Sequence, residues 1–93
     1  MIGFRRPLRE VGVPTVHRFG PYRFFFWAHE NHETREPAHI HVMSDDNHAI
    51  FWLSPVELRE SWGYTDRETA RIRRLVVAAQ TKLLKAWDDF FRE

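Results

Sequence analysis

The sequence predicts an α+β fold: a small antiparallel sheet of three to five strands with one long C-terminal helix packed on one face. Three observations carry this. Short apolar segments with two-residue alternation, separated by turn formers, fill the first two thirds of the chain. An amphipathic run without glycine or proline fills the last third. The length of 93 residues leaves room for one domain, read here as residues 14–93 behind an N-terminal extension of residues 1–13.

The elements follow in order. Pro7 and Gly12 interrupt any pattern in the extension, and PTVHRF (14–19) reads as a short strand opened by a proline. Gly20-Pro21 is a turn signal. YRFFFWAH (22–29) is the strongest strand, aromatic on both alternating faces, and therefore expected inside the sheet with both sides covered. ENHETREP (30–37) reads as a polar loop. AHIHVM (38–43) and HAIFWLS (48–54) form a hairpin around Ser44-Asp45-Asp46-Asn47. PVELRESWGY (55–64) fits either an edge strand or a helical turn. Thr65-Asp66-Arg67-Glu68 has the form of a capping box, which starts a helix expected to continue unbroken to Phe91.

Composition narrows the function classes. There is no cysteine, so disulfides and thiolate metal sites are excluded. No apolar run has the length of a signal peptide or a membrane helix, and the expectation is a cytoplasmic protein with no membrane role. A net charge of +1 argues against a surface coated in positive charge for nonspecific nucleic-acid binding. Aromatic residues make up 15% of the chain, a large share for a core that hides roughly 60–65% of the unfolded surface. Some rings are therefore expected at an interface.

Plotted at helical spacing, residues 66–92 present three faces. Ile72, Leu75, Val76, Ala79, Leu83, Ala86, Trp87 and Phe90 form the broad apolar face that suits the sheet. Val77, Leu84 and Phe91 recur every seven residues beside it. An unbroken helix of this length would be about 40 Å long, against a domain about 30 Å across. The far end, with Trp87, Phe90 and Phe91, is thus expected to overhang and meet a second copy or a small partner protein, or else to be covered by a loop or the N-terminal extension; Val77, Leu84, Trp87 and Phe91 are the interface candidates. The third face is cationic: Arg67, Arg71, Arg74, Lys82 and Lys85, candidates for an anionic partner or nucleic acid. Four arginines crowd the first turns against the helix dipole, and Asp88 and Asp89 lie against it at the other end; a solvated face neutralised by neighbouring carboxylates is the competing reading.

The hairpin places its residues in register. A four-residue loop, Ser44-Asp45-Asp46-Asn47, sets Met43 opposite His48, His41 opposite Ile50 and His39 opposite Trp52. One sheet face then carries His39, His41, Met43, His48, Ile50 and Trp52, and the other only apolar residues. Two chemistries remain open for the histidines. His39 and His41 point the same way about 7 Å apart, and with His29 and Glu36 (or Glu30 and His32) they compose a candidate site for a divalent metal of the zinc or iron type. Alternatively His39, His41 and His48 supply acid–base catalysis, for example of RNA cleavage through the 2′-hydroxyl. A purely structural role, with ring nitrogens bonded to carbonyls or carboxylates, competes with both. His17, isolated in its segment, reads as structural.

Pro14-Thr15, the aromatic strand Tyr22–Trp27, Glu36-Pro37-Ala38-His39-Ile40-His41-Val42 and Ala49–Leu53 together resemble the bacterial family domain of unknown function 4160. Glu36 to Val42 is the most specific stretch; Ala38 stands where the family more often has a second proline. The resemblance covers roughly residues 14 to 91 and marks His39 and His41 as signature residues. It implies a small cytosolic protein, a partner encoded nearby and a proposed place in toxin–antitoxin pairs. The functional expectation is accordingly a member of such a pair acting through protein–protein or RNA contacts. A small ribonuclease or metal-dependent enzyme is the alternative.

Overall fold

A computed structural model describes residues 15–27 and 36–91. Five strands form one antiparallel meander in the order β1 (Thr15–Phe19), β2 (Tyr22–Phe25), β3 (His39–Ser44), β4 (Asn47–Leu53) and β5 (Val56–Trp62). The helical layer follows as α1 (Asp66–Ala78) and α2 (Gln80–Phe91). The α+β architecture read from the sequence is the one observed. The proposed N-terminal extension lies outside the described residues.

The β3–β4 hairpin has the predicted register, with His39 opposite Trp52, His41 opposite Ile50 and Met43 opposite His48. Ser44 and Asn47 pair as well, so the turn itself is Asp45-Asp46, with Asp45 in the left-handed region at φ 52°. Aspartate tolerates that region better than most residues because its short side chain bonds locally. The segment 55–64, ambiguous by pattern, contains β5, an edge strand. Its start is tied to α1 by Arg73 Nε donating to the Val56 carbonyl at 3.1 Å.

Two expectations are corrected. The aromatic strand, read as 22–29, ends at Phe25; Phe26 and Trp27 lie past its end, and residues 28–29 are outside the described residues. Phe26 remains fully buried among Trp87, Phe90 and Phe91 of α2, whereas Trp27 is 43% exposed. The helix is also not continuous. Ala79 has φ −103° and ψ 10°, and its N–H is shared between the carbonyls of Leu75 and Val76, both at 3.1 Å. No glycine or proline marks the break; tertiary contacts accompany it. Gln80 Nε2 donates to the Leu53 carbonyl at 2.7 Å, so the residue just past the break caps the end of β4. α1 rests on β4 and β5, and α2 reaches across to β1.

The core lies between helices and sheet: Tyr22, Phe24, Phe26, Ile40, Val42, Ala49, Phe51, Leu53 and Val56 from the strands, and Ile72, Val76, Leu83 and Trp87 from the helices. At the start of α1 the capping box is complete. Glu68 N–H donates to Thr65 Oγ1 at 3.1 Å and Thr65 N–H donates to Glu68 Oε1 at 3.0 Å. Gly63, just before it, has φ +90°, and a Cβ there would run into the Asn47 side chain. The hairpin turn and the entry to the helical layer are locked at this one point, with a Ser44–Tyr64 hydroxyl bond of 2.8 Å beside it.

Candidate functional site

The sheet has a second face, turned away from the core cluster. Pairing across β2, β3, β4 and β5 lays it out in rows: Arg23, Met43, His48 and Trp62; Phe25, His41, Ile50 and Glu60; then His39, Trp52 and Glu57. The three histidines read from the sequence share this face as predicted. Their exposures differ: His39 is 0% and His41 4% exposed, whereas His48 is half-buried.

Each ring has an identified partner. His39 Nδ1 lies 2.9 Å from the Pro37 carbonyl. A carbonyl only accepts, so Nδ1 carries the proton and donates. Glu36 Oε1 is 3.8 Å from the same nitrogen. The His39 ring sits edge-on to Trp52 and 5.1 Å from Trp87, wedged at the sheet's end between its own face and α2. His41 Nδ1 and His48 Nε2 are 3.0 Å apart, a hydrogen bond between diagonal neighbours on adjacent strands. One nitrogen donates and the other accepts, so the two rings share one proton across the bond.

Aromatic groups surround the pair. Phe25 stacks on His41 at 5.2 Å and on His48 at 6.1 Å. Trp27 lies 5.9 Å from His41, and Trp62 lies 5.1 Å from His48. Two cations cover the flanks: Arg23 lies 4.7 Å over Phe25 and Arg59 lies 5.2 Å over Trp52. Arg59 Nη1 also donates to Glu36 Oε1 at 3.1 Å. Among the described residues no buried side-chain nitrogen or oxygen lacks a hydrogen-bond partner.

The metal set does not assemble among the described residues. No three His, Asp or Glu side chains there converge on one point. Glu36 is engaged by Arg59, and His29, Glu30 and His32 lie outside the described residues. Among the described residues the arrangement provides a shared proton between His41 and the half-buried His48.

The helical candidates separate into two groups. Trp87 is 8% exposed and packs on Phe26, so it belongs to the core and not to an overhang. Leu84 and Phe91 are partly buried against the same core, and Val77, at 47% exposed, faces solvent. Past the break at Ala79, α2 packs on β1 and β4 and brings Trp87, Phe90 and Phe91 against Phe26. Of the cationic stripe, Lys82 donates to His17 Nδ1 at 2.9 Å and Lys85 pairs with Asp89 at 3.3 Å. Arg67, Arg71 and Arg74 are exposed.

Sequence reasoning missed Phe25, Arg23, Trp62 and Arg59 as members of the histidine face. The first two were legible once β2 was paired with β3, because the alternation Arg23, Phe25, Trp27 continues that face. Arg59 was hidden by a register shift in the β4–β5 ladder, which pairs Ile50 with Glu60 but Phe51 with Leu58.

No curated protein and no solved structure gives a significant match to the chain. A family model described as a domain of unknown function, DUF4160, matches residues 22–88, and the chain belongs to that family.

Proposed function

We propose, with membership of this family as the premise, that the protein is the binding component of a small two-protein pair of the toxin–antitoxin kind, and that it acts by holding a protein partner. One observation carries the reading: the signature histidines are used by the fold itself. His39 has no exposed surface and donates to its own chain at Pro37, and His41, 4% exposed, is bonded to His48. A catalytic imidazole must reach a substrate proton directly or through one water, and a sealed ring already spending its nitrogens inside the fold is poorly placed for that. Large groups are left outward instead: Trp62 is 49%, Val77 47% and Trp27 43% exposed.

The test is co-expression with the product of the adjacent gene, followed by gel filtration. A stable complex that persists when His48→Ala is introduced is the expected result. Absence of a complex, with both proteins folded, would overturn the reading.

A second reading rests on the His41–His48 bond. His48 is half-buried, and a partner imidazole 3.0 Å away would orient it for proton transfer. RNA cleavage through the 2′-hydroxyl is the reaction class that two imidazoles serve without a cofactor. Cleavage of an RNA oligonucleotide by the purified protein, lost in His48→Ala with the fold intact, would establish it. No cleavage by the wild-type protein would remove it.

A further inference from the structure

We infer that the outer face of α1 is the docking ridge for an acidic segment of the protein partner, an inference that rests on the paired-protein reading above. Most of the described cations are committed within the chain. Arg23 donates to Thr15 and covers Phe25; Arg59 pairs with Glu36 and Glu60. Arg73 donates to the Val56 carbonyl, Lys82 to His17 and Lys85 to Asp89. Arg67, Arg71 and Arg74 make no such contact with the described residues, and all three are exposed. They stand at i, i+4 and i+7 on one helix, where like charges repel one another. Arg67 also lies in the first turn, where the helix dipole disfavours a cation. Asp66 and Glu68 in the first turn offset part of this charge, and the exposed guanidinium groups still leave a cationic strip that an external anion would complement.

The surroundings select a polypeptide over a phosphate backbone. Ala70 and Ala78 are exposed between and beyond the arginines, and Val77 is 47% exposed beside them. Small side chains let a second backbone approach, and an exposed valine offers apolar contact that a phosphate chain does not use. Asp66 precedes the ridge, Glu68 lies between its first two arginines, and Asp88 and Asp89 stand near the end of α2. The span from Arg67 to Arg74 is about 10 Å, the reach of three carboxylates at i, i+4 and i+7 on a partner helix. Arginine suits the role because its planar fork takes a carboxylate in bidentate fashion.

The experiment uses the full chain, its Arg67→Glu/Arg71→Glu/Arg74→Glu variant and the corresponding triple alanine variant, each checked for fold by circular dichroism. Two labelled probes are titrated by fluorescence anisotropy at low salt: a synthetic alanine-based helix of about twenty residues with glutamates at i, i+4 and i+7, and a uridine dodecamer. Expected is binding of the acidic helix that weakens as salt rises, about tenfold or more on charge reversal and less on alanine replacement. Unchanged peptide binding on reversal would overturn the inference. So would tighter binding of the uridine probe, lost on reversal, because the ridge would then track phosphate. Gel filtration with the adjacent gene product separates the two levels. A complex that survives reversal overturns the ridge and keeps the pair; no complex, with peptide binding lost on reversal, keeps the ridge and overturns the pair.

Discussion

The two faces of the sheet are built from the same strands by different physics. On the helix side, Phe24, Ile40, Val42, Phe51 and Leu53 are fully buried against Ile72, Val76 and Leu83. Cohesion there is apolar and nondirectional, and any well-packed set of similar volume would serve. On the other side, His39 and His41 are as deeply buried, but each depends on a particular acceptor or donor. Burial of a polar ring is tolerated only while its nitrogens are paired. The helix face therefore tolerates exchange of like for like, and the histidine face does not.

The largest effect that tests this contrast is expected on the helix face. Phe51→Ala removes a fully buried ring at the centre of the core and should cost about 3–5 kcal/mol in urea denaturation. A loss under about 1 kcal/mol would mean that the helical layer is not the main source of cohesion. On the histidine face, His41→Leu leaves His48 Nε2 without its 3.0 Å partner, and the expected loss is about 1–3 kcal/mol. The diagnostic measurement is the double variant His41→Leu/His48→Leu. It should be destabilised by less than the sum of the two singles, because both polar partners leave together. Strict additivity would show that the imidazole bond contributes little.

The capping box gives a smaller effect that neither face controls. Thr65→Ala removes the acceptor of the Glu68 N–H and the reciprocal geometry of the box. The expected cost is about 1 kcal/mol, read as a shift in urea midpoint with unchanged slope. Thr65→Ser should restore most of it.

Legibility in the sequence followed the range of the interaction. The hairpin register was readable because a local turn and a two-residue period fix it, which is why His39, His41 and His48 could be placed on one face. The capping box was readable because it is contained within four residues. The break at Ala79 was not, since its neighbours carry no breaker and the groups that accompany it, Leu53 and Phe26, are distant in sequence. The same limit applied to Trp87. Helical spacing placed it on the apolar face, but only the path of α2 showed that it meets Phe26 and His39 within the chain. The bonding partners of the histidines also lay beyond pattern. Alternation gives a shared face, whereas a 3.0 Å contact between His41 and His48 depends on ring rotations that no spacing rule supplies.

His17 offers the finest test of the contrast, because it is a histidine on the helix side. It stands on β1, edge-on to Phe24 at 5.1 Å, and its Nδ1 accepts from the Lys82 ammonium at 2.9 Å. Accepting requires that nitrogen to be unprotonated. Partial burial, first, and the neighbouring Lys82 charge, second, lower its pKa below the ordinary 6.5. The sign follows from proton binding: around and below pH 6.5 the unfolded chain binds the proton more readily than the folded one, so folding loses stability as pH falls. The contribution is fully present above 6.5, declines as pH drops toward the folded value and is flat below it. Urea midpoints measured from pH 7.5 downward should therefore fall less steeply in His17→Asn than in the wild type. Lys82→Met removes only the lesser cause and should retain most of the slope. A slope unchanged in His17→Asn would assign the pH dependence to other groups, and a slope abolished by Lys82→Met would make the charge, not burial, the dominant cause.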